Sequence, residues 1–226
     1  MAERILDYIA KFLALIVVLP IHEFAHAFVA VKCGDPTPKM YGRYTINPLA
    51  HFDLLGLACF LFAGFGWAKP VPVNPYNFNH YKKGSFLVSI AGVVSNYLLA
   101  FLVFPLAYYF VWFLPEFGYF TLVLRDTLMY IVGFSLSFFV FNLIPVYPLD
   151  GFRALDVFVK RQNKFYIFLR TKGIYLLYAL FALSLIADFT GLYFLDVFGN
   201  FMNTVVGFIS KPIIEFWNLI LKGVMV

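Results

Sequence analysis

Charge is what this sequence has least of. Only 13% of its 226 residues are Asp, Glu, Lys or Arg, against about 25% in an ordinary soluble domain. Hydrophobic residues make up 62% and aromatic residues 21%, with a mean hydropathy of +0.84. That balance excludes a soluble globular chain and points to an integral membrane protein, its length filled by one membrane domain. Cysteine is scarce too. Cys33 and Cys59 are the only two, which excludes a disulfide framework. Neither stands in a metal-binding spacing, and both read as inert thiols. The net charge of +5 does not imply a nucleic-acid partner, because in a membrane protein surplus lysine and arginine collect in cytoplasmic loops. No internal repeat or low-complexity tract is present. No cleavable leader is expected, since the first apolar run carries a polar motif that removal would destroy.

What is there is a series of long apolar runs. Residues 5–31 are long enough to span a bilayer, and Pro20 is placed to kink that span. Gly34 reads as its C-terminal cap. Residues 86–114 and 119–144 form a second and a third span, joined by a turn at 115–118. Residues 54–67 are apolar but too short to cross, so they read as re-entrant or interfacial. Lys69 to Pro75 reads as extended chain. The basic stretch 152–172, with apolar Leu155, Phe158 and Val159 interleaved, suits an interfacial helix. Residues 173–189 form the core of a fourth span. A last one lies within 192–222 and is expected to break near Pro212. The basic loops place the inner ends of spans one and three, and the start of span two, on the cytoplasmic side.

Within the first span stands His22-Glu23-Phe24-Ala25-His26. Two histidines four apart share one face of a helix and can hold one zinc ion, with Glu23 beside a water on that ion. An ionisable group near the bilayer centre costs at least ~2.5 kcal/mol, which a bound metal would offset. A catalytic zinc takes a third protein ligand. Asp150 is the candidate, because the topology puts it at the depth of the histidines. Asn96 and Asn142 are candidate hydrogen-bond donors to a reacting oxyanion; each also fits ordinary interhelical bonding. His51, with Asp53, fits a gate, an accessory metal site or a loop hydrogen-bond network, and the network is favoured. His80 reads as a loop residue.

Three ordered motifs carry a family resemblance: His22-Glu23-Phe24-Ala25-His26, Gly92-Val93-Val94-Ser95-Asn96, and Asn142 through Pro145, Pro148 and Leu149 to Asp150-Gly151. Together they resemble the site-2 proteases, the intramembrane zinc metalloproteases. The loops from Gly34 to Asp53 and from Phe65 to Pro75 are similar to a compact prokaryotic branch without a PDZ or CBS domain. The resemblance covers about residues 10–165. It implies one zinc per chain held by His22, His26 and Asp150, with Glu23 as general base. It implies substrate or oxyanion contacts from Asn96 and Asn142. The fold it implies is an all-α polytopic membrane protein with a three-helix catalytic core in residues 1–165. A re-entrant, partly β segment at 35–75 accompanies that core, and further transmembrane helices follow in 166–226. The partners it implies are the lipid bilayer and transmembrane protein substrates such as membrane-bound anti-sigma factors, cut in the cytoplasmic membrane by a site facing the cytoplasm. Two other readings stay open: a zinc transporter or channel, and an inactive relative acting as a membrane binding module.

Overall fold

A computed structural model describes residues 1–63, 66–113, 118–160 and 163–221. Among these residues the protein is an all-α polytopic membrane protein, with five helices long and apolar enough to cross a bilayer. They are α1 (Ala2–Lys32), α5 (Tyr81–Trp112), α6 (Gly118–Leu143), α9 (Gly173–Thr190) and α10 (Val197–Leu221). Between them lie the short helices α2 (Thr37–Met40), α3 (Pro48–His51), α4 (Leu54–Ala63), α7 (Asp150–Asp156) and α8 (Lys164–Thr171).

The helices α1, α5 and α6 pack on one another along their lengths. Small residues let them approach: Ala10, Ala14, Ala27, Ala30 and Ala100 are fully buried. Ala14, Val18 and Ile131 form an apolar cluster with Leu99, Val103 and Phe134 around it. Pro20 removes one intrahelical hydrogen bond, yet α1 runs unbroken from Ala2 to Lys32. A second cluster joins Val146, Phe152, Tyr166, Leu169, Leu177 and Phe198, so α8, α9 and α10 clamp the turn that leads into α7.

Several sequence expectations shift. The second span begins earlier than 86, because Lys82 and Lys83 lie in the first turn of α5. The basic stretch divides into α7 and α8, with α8 capped by the Asn163 side chain, which accepts from Tyr166 N. The break expected near Pro212 is absent: α10 is continuous from Val197 to Leu221 with Pro212 inside it. A proline spoils only its own bond and crowds one carbonyl, a loss a membrane helix absorbs. The 115–118 turn, apart from Gly118, lies outside the described residues, as do Gly64 and Arg161.

The 35–75 segment is expected to be partly β. Its β content among the described residues is one isolated bridge, Phe52 to Ala68. Pro70, Pro72 and Pro75 follow directly and have no N–H to extend a ladder. Helix α4 has 10 residues, about 15 Å at 1.5 Å each, half of a ~30 Å hydrocarbon core. It leans on the bundle: the Phe60 ring lies 5.1 Å from Phe134 and 6.0 Å from Phe138 of α6. Its glycines close the returning chain, since a Cβ at Gly66 would stand 2.1 Å from the Gly56 carbonyl oxygen.

Candidate metal centre

The C-terminal part of α1, the N-terminal part of α5 and the start of α7 converge on one point. His22 Nε2 and His26 Nε2 lie 3.2 Å apart. Asp150 Oδ2 lies 3.4 Å from the first and 3.0 Å from the second. All three residues are buried, each 6% exposed. Among the described residues these are the only His, Cys, Asp or Glu side chains grouped closely enough to hold a metal ion together.

The donor set can be tested against zinc. A tetrahedral ion with bonds of about 2.0–2.1 Å has ligand-to-ligand edges of about 3.3–3.4 Å. The three edges here are 3.0, 3.2 and 3.4 Å. Hydrogen bonding makes the same point. His26 Nδ1 lies 2.7 Å from the Val88 carbonyl. A carbonyl only accepts, so the Nδ1 proton is fixed there and Nε2 of the neutral ring keeps its lone pair. Asp150 Oδ2 has no hydrogen-bond donor although it is buried. Lone pairs thus face one another across a narrow gap, an arrangement a cation resolves. The residues fit a zinc ion.

Glycine makes the approach of α5 possible. A Cβ on Gly92 would stand 2.3 Å from His26 Nε2 and 2.6 Å from His22 Cε1. One turn on, Asn96 is fully buried with its amide nitrogen 3.0 Å from His22 Nδ1 and its Oδ1 unpartnered. The two ends of an amide have the same shape, and the hydrogen-bond network decides which faces the ring. With Oδ1 turned to His22, it accepts from Nδ1–H, the orphaned oxygen is satisfied, and His22 Nε2 is freed toward Asp150 and His26.

Glu23 is half-buried beside this cluster. Its Oε2 accepts from the Val71 N–H at 3.0 Å. Val71 belongs to the extended chain that ends in a turn at Pro75–Asn77, and Asp35 holds that chain. The fully buried Asp35 carboxylate accepts from Thr37 N at 3.0 Å, Asn74 N at 2.7 Å and Asn77 Nδ2 at 2.8 Å. Burial works to raise its pKa, but these donors outweigh it and the carboxyl sits below its usual value. Neither Val71 nor Val88 is legible as a site residue in the sequence, because both act through backbone groups.

The other expected residues divide. Asn142 lines the space beside His22 and Glu23, with one amide hydrogen given to Phe138 O at 3.1 Å. Asn96 is fully buried and faces His22. His51 is fully buried and its Nε2 meets the Thr45 carbonyl at 2.8 Å, within the loop network and apart from the metal group. Asp53 accepts from Gly56 N.

Two spaces meet at the site. One, of about 890 Å³, reaches from His22, Glu23, His26 and Asp150 out to exposed Lys82, Arg153, Lys160 and Arg170. The other, of about 180 Å³, is apolar and lined by Leu15, Leu19, Phe52, Phe60 and Phe138. His22, Glu23, Asn142 and Leu149 border both.

A polytopic membrane protein with a buried His-His-Asp group able to hold a metal ion is the class that fold and site define. Comparison with known proteins narrows it. The chain is 43% identical over 145 residues to the Bacillus subtilis (strain 168) protein named "Putative zinc metalloprotease YwhC", covering 64% of this chain and 66% of that one. It is 31% identical over 162 residues to "Putative zinc metalloprotease Rip2" of Mycolicibacterium smegmatis, covering 68% and 60%, and 31% identical over 153 residues to Rip2 of Mycobacterium tuberculosis H37Rv, covering 66% and 57%. The chain belongs to their family, the site-2 proteases. It spans just under two thirds of the length of the first of these relatives and less of the others. No family model matches the chain, and no solved structure does.

Proposed function

We propose that this protein is a zinc-dependent intramembrane endopeptidase that hydrolyses peptide bonds in or near transmembrane segments of other membrane proteins. The observation that carries the reading is the triangle of His22, His26 and Asp150, with its tetrahedral edges and an acidic side chain at its side. One zinc ion held by these three residues supplies a Lewis acid and a water acidified toward neutral pH.

The chain's own groups do the rest. Glu23 takes the proton of the attacking water and delivers it to the leaving amine, steadied by the Val71 N–H on Oε2. Asn142 has a second amide hydrogen for the carbonyl oxygen of the scissile peptide. Asn96 and Val88 do not touch substrate; they orient the imidazoles. The larger cavity brings water to a site otherwise enclosed by apolar helices. Lys32, Lys39, Arg43, Lys69, Lys82 and Lys83, with the basic α7–α8 region, favour a cytoplasmic mouth in a cytoplasmic membrane. Transmembrane regulators such as anti-sigma factors are substrates of the fitting kind.

The transporter reading finds less support. Among the described residues, one cluster beyond the site is the apolar group of Ala14, Val18 and Ile131, and the grouped metal-ligating side chains all lie at the site itself. The test is metal analysis of the purified protein together with cleavage of a model transmembrane substrate, wild type against Glu23→Gln. The expected result is one zinc in both proteins and cleavage only by the wild type. Cleavage by Glu23→Gln at the wild-type rate overturns the proposal.

A further inference from the structure

The two spaces that meet at the site differ in chemistry. The smaller is walled by Leu15, Leu19, Phe52, Phe60 and Phe138. The larger carries cations on two walls: Lys82 from the start of α5, and Arg153, Lys160 and Arg170 from the α7–α8 region. Its outer carboxylate, Asp156, is engaged by the Tyr166 hydroxyl. None of the four cations forms an ion pair with a carboxylate among the described residues. A basic mouth follows from membrane orientation alone. Orientation does not explain why these cations line the space that contains His22, Glu23, His26 and Asp150.

A chain threaded from one space to the other passes His22, Glu23 and Asn142, which border both. Resting on the protease reading above, we infer that the preferred substrate presents a junction: a bulky apolar residue for the small pocket, followed or preceded by an acidic stretch for the basic chamber. Common transmembrane segments have lysine and arginine on the cytoplasmic flank. The chamber repels such flanks and admits the rarer acidic one. Like charges brought together oppose binding, while opposite charges speed encounter and respond to salt.

The probes are two transmembrane peptides with one apolar segment, flanked by four glutamates or by four lysines, made in both chain directions. Each is reconstituted with the full-length protein in zwitterionic vesicles and, separately, in vesicles containing anionic lipid. Binding is measured to Glu23→Gln and cleavage with wild type. The acidic peptide is expected to bind and be cut about tenfold better, with the preference shrinking in high salt. Arg153→Glu/Lys160→Glu is expected to reverse it, and Lys82→Glu, on the other wall, to weaken it independently. Leu19→Trp, which fills the apolar pocket, is expected to move cleavage toward smaller residues. Equal binding and cutting of both peptides overturns the inference while leaving the protease reading intact. So does a response to anionic lipid with no discrimination between peptides, since the cations then read the membrane surface. Selective binding without cleavage by wild type sinks the protease reading and keeps the acidic-flank preference.

Discussion

The helices α1, α5 and α6 and the helices α9 and α10 are all apolar enough to cross a membrane, yet they are built differently. In their most apolar stretches 44%, 33% and 33% of residues are buried against protein in the first three, and 17% and 6% in the last two. The first group owes its burial to alanines and glycines at the contacts, and it carries every buried polar side chain of the site except Asp150. The second group shows lipid large side chains such as Tyr175, Tyr178, Phe189 and Phe208. Buried small residues buy close approach, and close approach lets polar groups from different helices share one ion. The C-terminal helices act at one remove, holding the turn before Asp150 through Phe152, Tyr166 and Phe198.

The comparison can be broken at several points. Glu23→Gln should lower cleavage by about 10²–10⁴-fold with zinc retained, measured by turnover and metal content. Gly92→Val should abolish zinc binding by driving a branched side chain into both imidazoles, and overpacking should cost about 1–3 kcal/mol as read by unfolding in detergent. Asn96 offers a sharper test of the orienting role. Asn96→Leu should weaken zinc binding by about 10–100-fold, whereas Asn96→Asp, which keeps an acceptor for His22 Nδ1–H, should bind nearly as the wild type does. Equal affinity in the leucine variant would remove that role.

Asp35 tests the loop that delivers Val71. Each hydrogen bond to its carboxylate is worth about 1.5–3 kcal/mol, so Asp35→Asn should destabilise at neutral pH. Because the folded carboxyl titrates below its unfolded value, the stability it contributes is present above the unfolded pKa. It is lost as pH falls through the folded one. The gap between wild type and variant should therefore close in acid, which a pH series of melting curves reads out. Tyr178→Leu and Phe189→Leu, on the exposed faces of α9, should shift stability by no more than about 0.5 kcal/mol. A larger effect would mean that those faces are covered by something other than lipid.

Span count and the shared face of His22 and His26 were legible in the chain because each has a local signature. Length and hydropathy mark a span, and a four-residue spacing marks one helix face. The continuity of α10 through Pro212 was not legible, since a proline in water and one in a membrane helix have different consequences. Nor was the single bridge at Phe52, where pairing depends on which N–H groups the prolines leave free.

By itself, then, the order of residues determined a membrane protein with two imidazoles, two carboxylates and several amides in reach of chemistry. Packing alone decided which of them meet. Asn96 became a partner of His22 because Gly92 lets α5 settle against the histidines, and the end of α6 made Asn142 a wall of the cavity. Val71 and Val88 joined through main-chain atoms that carry no side-chain signal. Hydrogen bonds between residues 48 to 74 positions apart depend on how whole helices stack, and no local spacing in the chain encodes that.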